Sequence, residues 1–189
     1  MKLKIKSSYL IKFLFGFFLI GLLVGAFLFF KLDASTKESV ILSLSNINGA
    51  VTGRHQNFIV MHLIISLLLA VLSLCAVGFP LVLFYLFYEF ASFGFLLAGL
   101  IKLKGVNGLM FGIASFFTNK FVYIVLLCYL AYVSFSFFRK IVKYKEQIDA
   151  RMFALHLKRL GIILLAIFIN DLIIYFWGNK LLSIFLFLL

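Results

Sequence analysis

Five stretches of this chain run for close to twenty residues with scarcely a charged side chain, and no other feature narrows the fold as far. A helix needs about 20 mostly apolar residues to cross a hydrocarbon core of about 30 Å, where no water is present to pair a loose backbone N–H or C=O. The stretches are 9–30, 58–79, 81–101, 121–138 and 160–177. They predict an all-α, polytopic membrane bundle of about five transmembrane helices, one integral membrane domain over residues 1–189.

Composition closes the other routes. Of the 189 residues 65% are apolar and 13% charged, against roughly half and a quarter in a soluble domain. Disorder is excluded too, because 26 Phe and 8 Tyr with a single Pro cannot stay solvated as a coil. The basic N-terminus is followed by an apolar run, 13–30, longer than the core of a secretion signal and without a small-residue cleavage site, so it reads as a retained first span.

The connections carry their own signals. Gly78, Phe79 and Pro80 alone separate the second and third spans, with Pro80 where a first helical turn accepts it. Residues 107–117 are apolar but too short to cross, and polar Thr118, Asn119 and Lys120 follow. They predict a half-helix or re-entrant segment sheltered by protein or a water-filled cavity.

A net charge of +12 would suggest nucleic acid in a soluble chain; here its distribution reports topology and no nucleic-acid partner is implied. Lys2, Lys4, Lys6 and Lys12 precede or open the first span. Arg139, Lys140, Lys143, Lys145, Arg151, Lys158 and Arg159 lie between the fourth and fifth. A cytoplasmic N-terminus and five crossings put these eleven of the eighteen Lys and Arg on the cytoplasmic side of a bacterial plasma membrane. The 31–57 loop, the region from Lys102 to Lys120, and Lys180 then lie outside.

Two connections read as helices on the membrane surface. In 31–57, Ser35 and Glu38 are spaced as a capping box, Val40, Ile41, Leu44 and Ile47 share a face, and Asn48 with Gly49 is a stop. In 139–159, Ile141, Tyr144, Ile148, Met152 and Leu155 form an apolar stripe opposed by the basic residues. That stripe suits an extension of span four over lipid headgroups, or a docking helix for an ATPase. The tail 181–189 is too short to span and is expected at the outer interface, with Trp177 as a belt residue.

Ionisable groups inside spans are costly and point to function first. Glu89 lies deepest, flanked by Tyr85 and Tyr88. Asn170 and Asp171 lie in the outer half of span five, with Lys120 as a partner for Asp171, and His62 lies near the outer end of span two. The plainer roles are a structural polar contact for Glu89, helix-to-helix glue for Asn170 and Asp171, and a packed histidine for His62. Small residues four apart, Gly21 with Gly25, Gly94 with Ala98 and Gly108 with Gly112, point to close helix packing. Cys75 and Cys128 sit in apolar surroundings as small core residues.

The motifs that would mark an enzyme, G-x-x-x-x-G-K-[ST], H-E-x-x-H, G-x-S-x-G and a Mg²⁺-binding Asp cluster, do not occur, so no catalytic, metal or cofactor site is expected. An enzyme would require a second acid or base within reach of Glu89. A transport pathway would require partners or self-association of so small a chain, with Glu89, Asn170 and Asp171 lining a pocket.

The order of several pieces resembles the stage II sporulation protein M family of membrane proteins. The pieces are FLIGLLVGAFLF closing the first span, Gly78 to Leu81, Gly94 with Phe95, Asn107 with Gly108, and the basic exit Phe138, Arg139, Lys140. Glu89 and Phe90 depart from the basic residue and glycine of the family pattern, as does the missing proline at Thr118 to Lys120. The resemblance implies a non-catalytic subunit. One form is a scaffold for external peptidoglycan hydrolases, stage II sporulation proteins D and P, during engulfment. The other is a membrane subunit of a circular-bacteriocin export and maturation system beside an ABC-type ATPase. A small-molecule importer subunit is the third alternative.

Overall fold

The computed structural model describes residues 7–45, 55–75, 78–144, 150–178, 180 and 184–185. Its described residues form α1 (Ser7–Lys31), α2 (Ala34–Ser45), α3 (His55–Leu72), α4 (Gly78–Lys104), α5 (Val106–Asn119), α6 (Phe121–Tyr144) and α7 (Ala150–Ile173). A π-helical turn, Ile174–Gly178, closes the last helix.

Four of these helices are long and apolar enough to cross a membrane: α1, α4, α6, and α7 with its π turn. The fifth, α3, has a shorter apolar part, Val60–Leu72, though its 18 residues rise about 27 Å. The outward faces are apolar throughout, with Leu23, Phe27 and Phe30 of α1, Phe84 of α4 and Leu165 of α7 exposed. A soluble protein does not leave such a surface in water, whereas lipid tails solvate it. The chain is an all-α, polytopic membrane protein.

Helix directions follow from which side chains meet. Phe17 packs on Phe87, Gly21 on Phe90 and Phe29 on Phe95, so α1 and α4 run parallel. Gly108 lies against Leu100, Phe116 stacks on Phe93 and Tyr123 meets Tyr85, so α5 and then α6 descend antiparallel to α4. His62 faces Asp171, and further along Val71 lines one cleft with Leu157, so α3 and α7 are antiparallel. One end of the bundle, here the near end, therefore holds the start of α1, the α3–α4 turn, the end of α6 and the start of α7. The far end holds α2 and the α4–α5 turn.

Of the two forms expected for 107–117, the half-helix is the one observed. The helix α5 does not return to the far end: α6 carries on in the same direction after Lys120. The turn from α4 into α5 is the single residue Gly105, whose φ of 59° lies in the left-handed region that costs glycine nothing. Lys102 and Lys104 occupy the last turn of α4, where the helix dipole favours cations.

The α1–α4 seam is made by small residues. A Cβ at Gly25 would lie 1.8 Å from the Ala91 carbonyl oxygen, and one at Gly94 would lie 2.1 Å from that of Leu22. The two backbones touch there, as small residues in membrane helices allow. Gly108 likewise sits on the Leu100 carbonyl oxygen, and Gly112 lies against the Leu97 and Leu100 side chains. Ala98 is buried. On the other side of α4, Val82 and Leu86 form a core with Leu127 and Leu130 of α6 and Ile163 and Ile167 of α7.

Several boundaries differ from the sequence expectation. The helix α3 ends at Leu72 and Ser73–Cys75 make the turn, so Phe79 belongs to α4 rather than closing the second span. Pro80 does lie in the first turn of α4. Residues 139–159 are not a separate surface helix: α6 runs on to Tyr144 and α7 starts at Ala150, placing Met152 and Leu155 in its first turns, while Ile148 lies outside the described residues. The described part of the stripe is thus divided between the end of α6 and the start of α7 rather than carried by one extension of span four.

In the 31–57 loop, Asp33 rather than the Ser35–Glu38 box caps α2. Its carboxylate accepts from the Thr36 N–H at 3.1 Å and from the Ser35 hydroxyl. Val40, Ile41 and Leu44 are half-buried, and Leu44 packs over Gly99, so α2 lies on the far end of α4. Ile47, Asn48 and Gly49 fall outside the described residues. Of the tail, Ile184 and Phe185 are described; Trp177 is exposed beside Lys180.

Candidate functional site

Glu89 and Tyr85 stand four residues apart on α4, one turn along a single helix face. The Tyr85 hydroxyl donates to Glu89 Oε1 at 2.7 Å. The other oxygen, Oε2, takes the Lys120 ammonium at 2.6 Å. Glu89 is almost fully buried, whereas the Lys120 side chain keeps 27% of its exposure.

Local helix chemistry delivers Lys120 to that point. The Lys120 N–H donates to Phe116 O and the Ile124 N–H to Lys120 O, so helical hydrogen bonding continues across the junction of α5 and α6. The Thr118 hydroxyl donates to Ala114 O, a bond from residue i to i−4 that bends helices. The junction is therefore a bend of one residue, at the depth of Glu89. An ammonium placed there neutralises the carboxylate and fastens α4 to both halves of the bent helix.

From this ion pair a second layer of polar contacts crosses the bundle. The Tyr123 hydroxyl donates to that of Tyr85 at 3.4 Å and shares a hydrogen bond with Ser66 Oγ at 3.4 Å, both at the long limit for such bonds. His62 lies flat on the Tyr123 ring, centroids 4.3 Å apart and planes 9° from parallel. His62 Nδ1 is 3.6 Å from Asp171 Oδ1, within ion-pair range but too far for a hydrogen bond. Asn170 Nδ2 donates to the same oxygen at 3.4 Å. Asp171 Oδ2 is buried and has no hydrogen-bond partner among the described residues.

Glu89, His62, Asn170 and Asp171 are thus brought into one polar layer shared by α3, α4, α6 and α7. Two pairings differ from expectation. Lys120 meets Glu89, not Asp171, because the bend sets it beside α4. Of the two tyrosines flanking Glu89 only Tyr85 bonds it, while Tyr88 is 60% exposed on a neighbouring face. Glu89 is not alone with tyrosines: the Lys120 ammonium reaches it, joined to it as a salt bridge. Among the described residues no three of His, Cys, Asp and Glu gather as a metal site.

Two members of the layer gave no usable signal in the sequence: Tyr123 and Ser66 are ordinary residues in apolar helices. Lys120, in the polar break after 107–117, reads as a partner of Asp171 rather than of Glu89.

The basic residues lie elsewhere. Lys140, Arg151, Lys158 and Arg159 are exposed at the near end, on the last turns of α6 and the first of α7, and Arg139 is half-buried. Lys143 belongs to α6, and Lys145 falls outside the described residues. Cys75 is exposed in the near-end turn, and Cys128 is half-buried in α6, both as free thiols. No family model, no curated protein and no solved structure matches the chain.

Proposed function

We propose that this chain is a non-catalytic membrane subunit that holds partner proteins in position, in a bacterial plasma membrane with its N-terminus cytoplasmic. The observation that supports this reading best is the Glu89–Lys120 pair. An ionisable residue inside a span is by default a candidate for moving protons or substrate. Here the deepest one is neutralised by a lysine and a tyrosine of the same bundle, in the manner of a device that fixes helices in place. The glycine seam between α1 and α4 is rigid for a different reason and to the same effect.

A scaffold needs a rigid centre and chemically distinct ends. The near end offers Arg139, Lys140, Arg151, Lys158 and Arg159, a surface suited to an acidic partner or an ATPase. The far end offers α2 packed on α4. By the resemblance to the stage II sporulation protein M family, the first specific form is the engulfment scaffold for external peptidoglycan hydrolases. The second is the export and maturation subunit for a circular bacteriocin.

The importer reading keeps one observation in its favour, the buried Asp171 Oδ2 without a partner beside His62 and Asn170. It expects Asp171→Asn and Glu89→Gln to abolish uptake while leaving the fold intact.

Affinity purification of the solubilised protein from its own cells, followed by mass spectrometry, separates these readings. External hydrolases among the co-purified proteins support the engulfment form, and an ATPase with a small cationic peptide supports export. Recovery of the chain alone, with uptake of a solute lost in Asp171→Asn, overturns the scaffold.

A further inference from the structure

At the near end α6 and α7 part around a small cleft of about 60 Å³. Lys140 and Arg159 line it, Met152 and Leu155 form apolar walls, and His156 is part of its lining. The His156 side chain is 6% exposed, and its ring lies on Phe137 with centroids 4.0 Å apart and planes 6° from parallel. Its Nε2 is buried with no hydrogen-bond partner among the described residues.

The ring's other nitrogen accounts for its orientation. The Ser73 backbone carbonyl faces the ring, and with Nε2 turned to the cleft and unpartnered, Nδ1 is the nitrogen directed at it. A neutral imidazole whose Nδ1–H donates to a carbonyl keeps its lone pair on Nε2, which then accepts a hydrogen bond. Leaving such an atom buried and unpaired is costly, and a ligand hydroxyl removes that cost. The cleft therefore combines two cations with one buried acceptor. Lys140 also ends the stretch of α6 able to cross the membrane, so the cleft lies at the height of lipid headgroups.

We infer that this cleft binds a phosphodiester carrying a neighbouring hydroxyl, supplied by an anionic phospholipid headgroup of the phosphatidylglycerol class. The phosphate sits between Lys140 and Arg159, and the headgroup hydroxyl donates to His156 Nε2. The volume admits the polar end of one headgroup and no folded segment of a protein. The same chemistry is available from a soluble glycerophosphodiester, and the experiment has an arm for it.

The protein is placed in lipid nanodiscs of phosphatidylcholine with a minor fraction of phosphatidylglycerol, and lipid retained after release is counted by native mass spectrometry. Wild type is expected to retain phosphatidylglycerol. The double variant Lys140→Gln with Arg159→Gln, both exposed and safe for folding, is expected to lose about thirtyfold in affinity. The same charge removed at the far end, Lys102→Gln with Lys104→Gln, is expected to leave retention unchanged.

His156→Phe keeps the stack on Phe137 and removes the acceptor. It is expected to weaken phosphatidylglycerol about fivefold but not phosphatidylethanol, which has the same charge and no hydroxyl. Equal retention by the Lys140 and Arg159 variant, or equal loss at Lys102 and Lys104, overturns the site. Equal weakening of both lipids by His156→Phe overturns the role of the hydroxyl. Displacement of the lipid by soluble glycerophosphoglycerol at matched concentration overturns the assignment to a membrane lipid.

Discussion

The two faces of α4 are held by opposite means. Towards α1 the backbones touch at Gly25 and Gly94, with Gly21 seated on Phe90 and phenylalanine pairs packed along the rest of the seam. Towards the α5–α6 bend and α6 the contact is made by long polar side chains, Glu89, Lys120, Tyr85 and Tyr123, inside an apolar core. Lipid tails are as apolar as leucine, so neither face gains the hydrophobic drive available in water. One substitutes close dispersion contact and the other substitutes charge and hydrogen bonds. The first tolerates no added atom; the second tolerates no unpaired one.

That contrast breaks most sharply at Lys120. Lys120→Met leaves the Glu89 carboxylate buried with only Tyr85, and removing one partner of a buried pair is strongly destabilising. We expect a loss of about 3 to 4 kcal/mol, the lower part of the usual range because the Lys120 side chain is 27% exposed. Lys120→Met combined with Glu89→Gln should recover most of it. Unfolding measured in lipid nanodiscs for the single and double variants decides the matter. A double variant no better than Lys120→Met would mean that the pair does not act as a unit.

The glycine face should fail next. Gly25→Ala forces a Cβ into the Ala91 carbonyl, where only backbone could give way, and overpacking of this kind costs about 2 to 3 kcal/mol. Gly16→Ala, on the same helix but with nothing within 4 Å, is the matched control and should change little. Disulfide trapping between α1 and α4 reads the seam directly. Equal trapping efficiency for wild type and Gly25→Ala would show that α1 shifts along α4 without cost.

These two faces were also unequally legible in the sequence. The all-α membrane class and the small-residue pairs are properties of single segments, and spacing along one helix exposes them. Which acid meets which base is a property of three helices at once. The sequence offers Asp171 as the partner of Lys120, and only the bend after Thr118 sets the ammonium beside Glu89 instead. The boundaries at Gly78 and Ala150 were lost for a related reason: hydropathy marks the apolar limit, whereas α4 and α7 begin before it. At Leu72 the helix stops while the chain stays apolar, so the turn was hidden. Asp33 was overlooked as a cap because the Ser35–Glu38 spacing satisfied a familiar pattern two residues too late.

A gentler test probes how far the polar layer extends beyond the ion pair. Tyr123→Phe removes two long hydrogen bonds, to Tyr85 and Ser66, but preserves the stack with His62. Side-chain hydrogen bonds between membrane helices are worth about 1 kcal/mol or less, so the expected loss is about 1 kcal/mol. A loss as large as that of Lys120→Met would make Tyr123 the keystone of the layer and relegate the ion pair to a supporting contact.

The smallest expected effect lies at the far end, where α2 covers the glycine-bearing stretch of α4 through Leu44 on Gly99. The hydroxyl of Ser35, then the side chain and N–H of Thr36, hold the Asp33 carboxyl well below the usual carboxylate range. A pKa depressed by folding contributes stability that is complete above the unfolded value of 3.8 and fades as pH falls below it. The cap on α2 should therefore be intact at neutral pH and weaken only in acid. Hydrogen exchange of the α2 amides should quicken as pH drops through this window, once corrected for the intrinsic rate. In Asp33→Ala the amides should exchange faster at neutral pH and show no such step. Because α2 bears on α4 from outside the seam, α1–α4 trapping should stay unchanged in Asp33→Ala; a fall there would mean that α2 belongs to the same rigid unit as the glycine face.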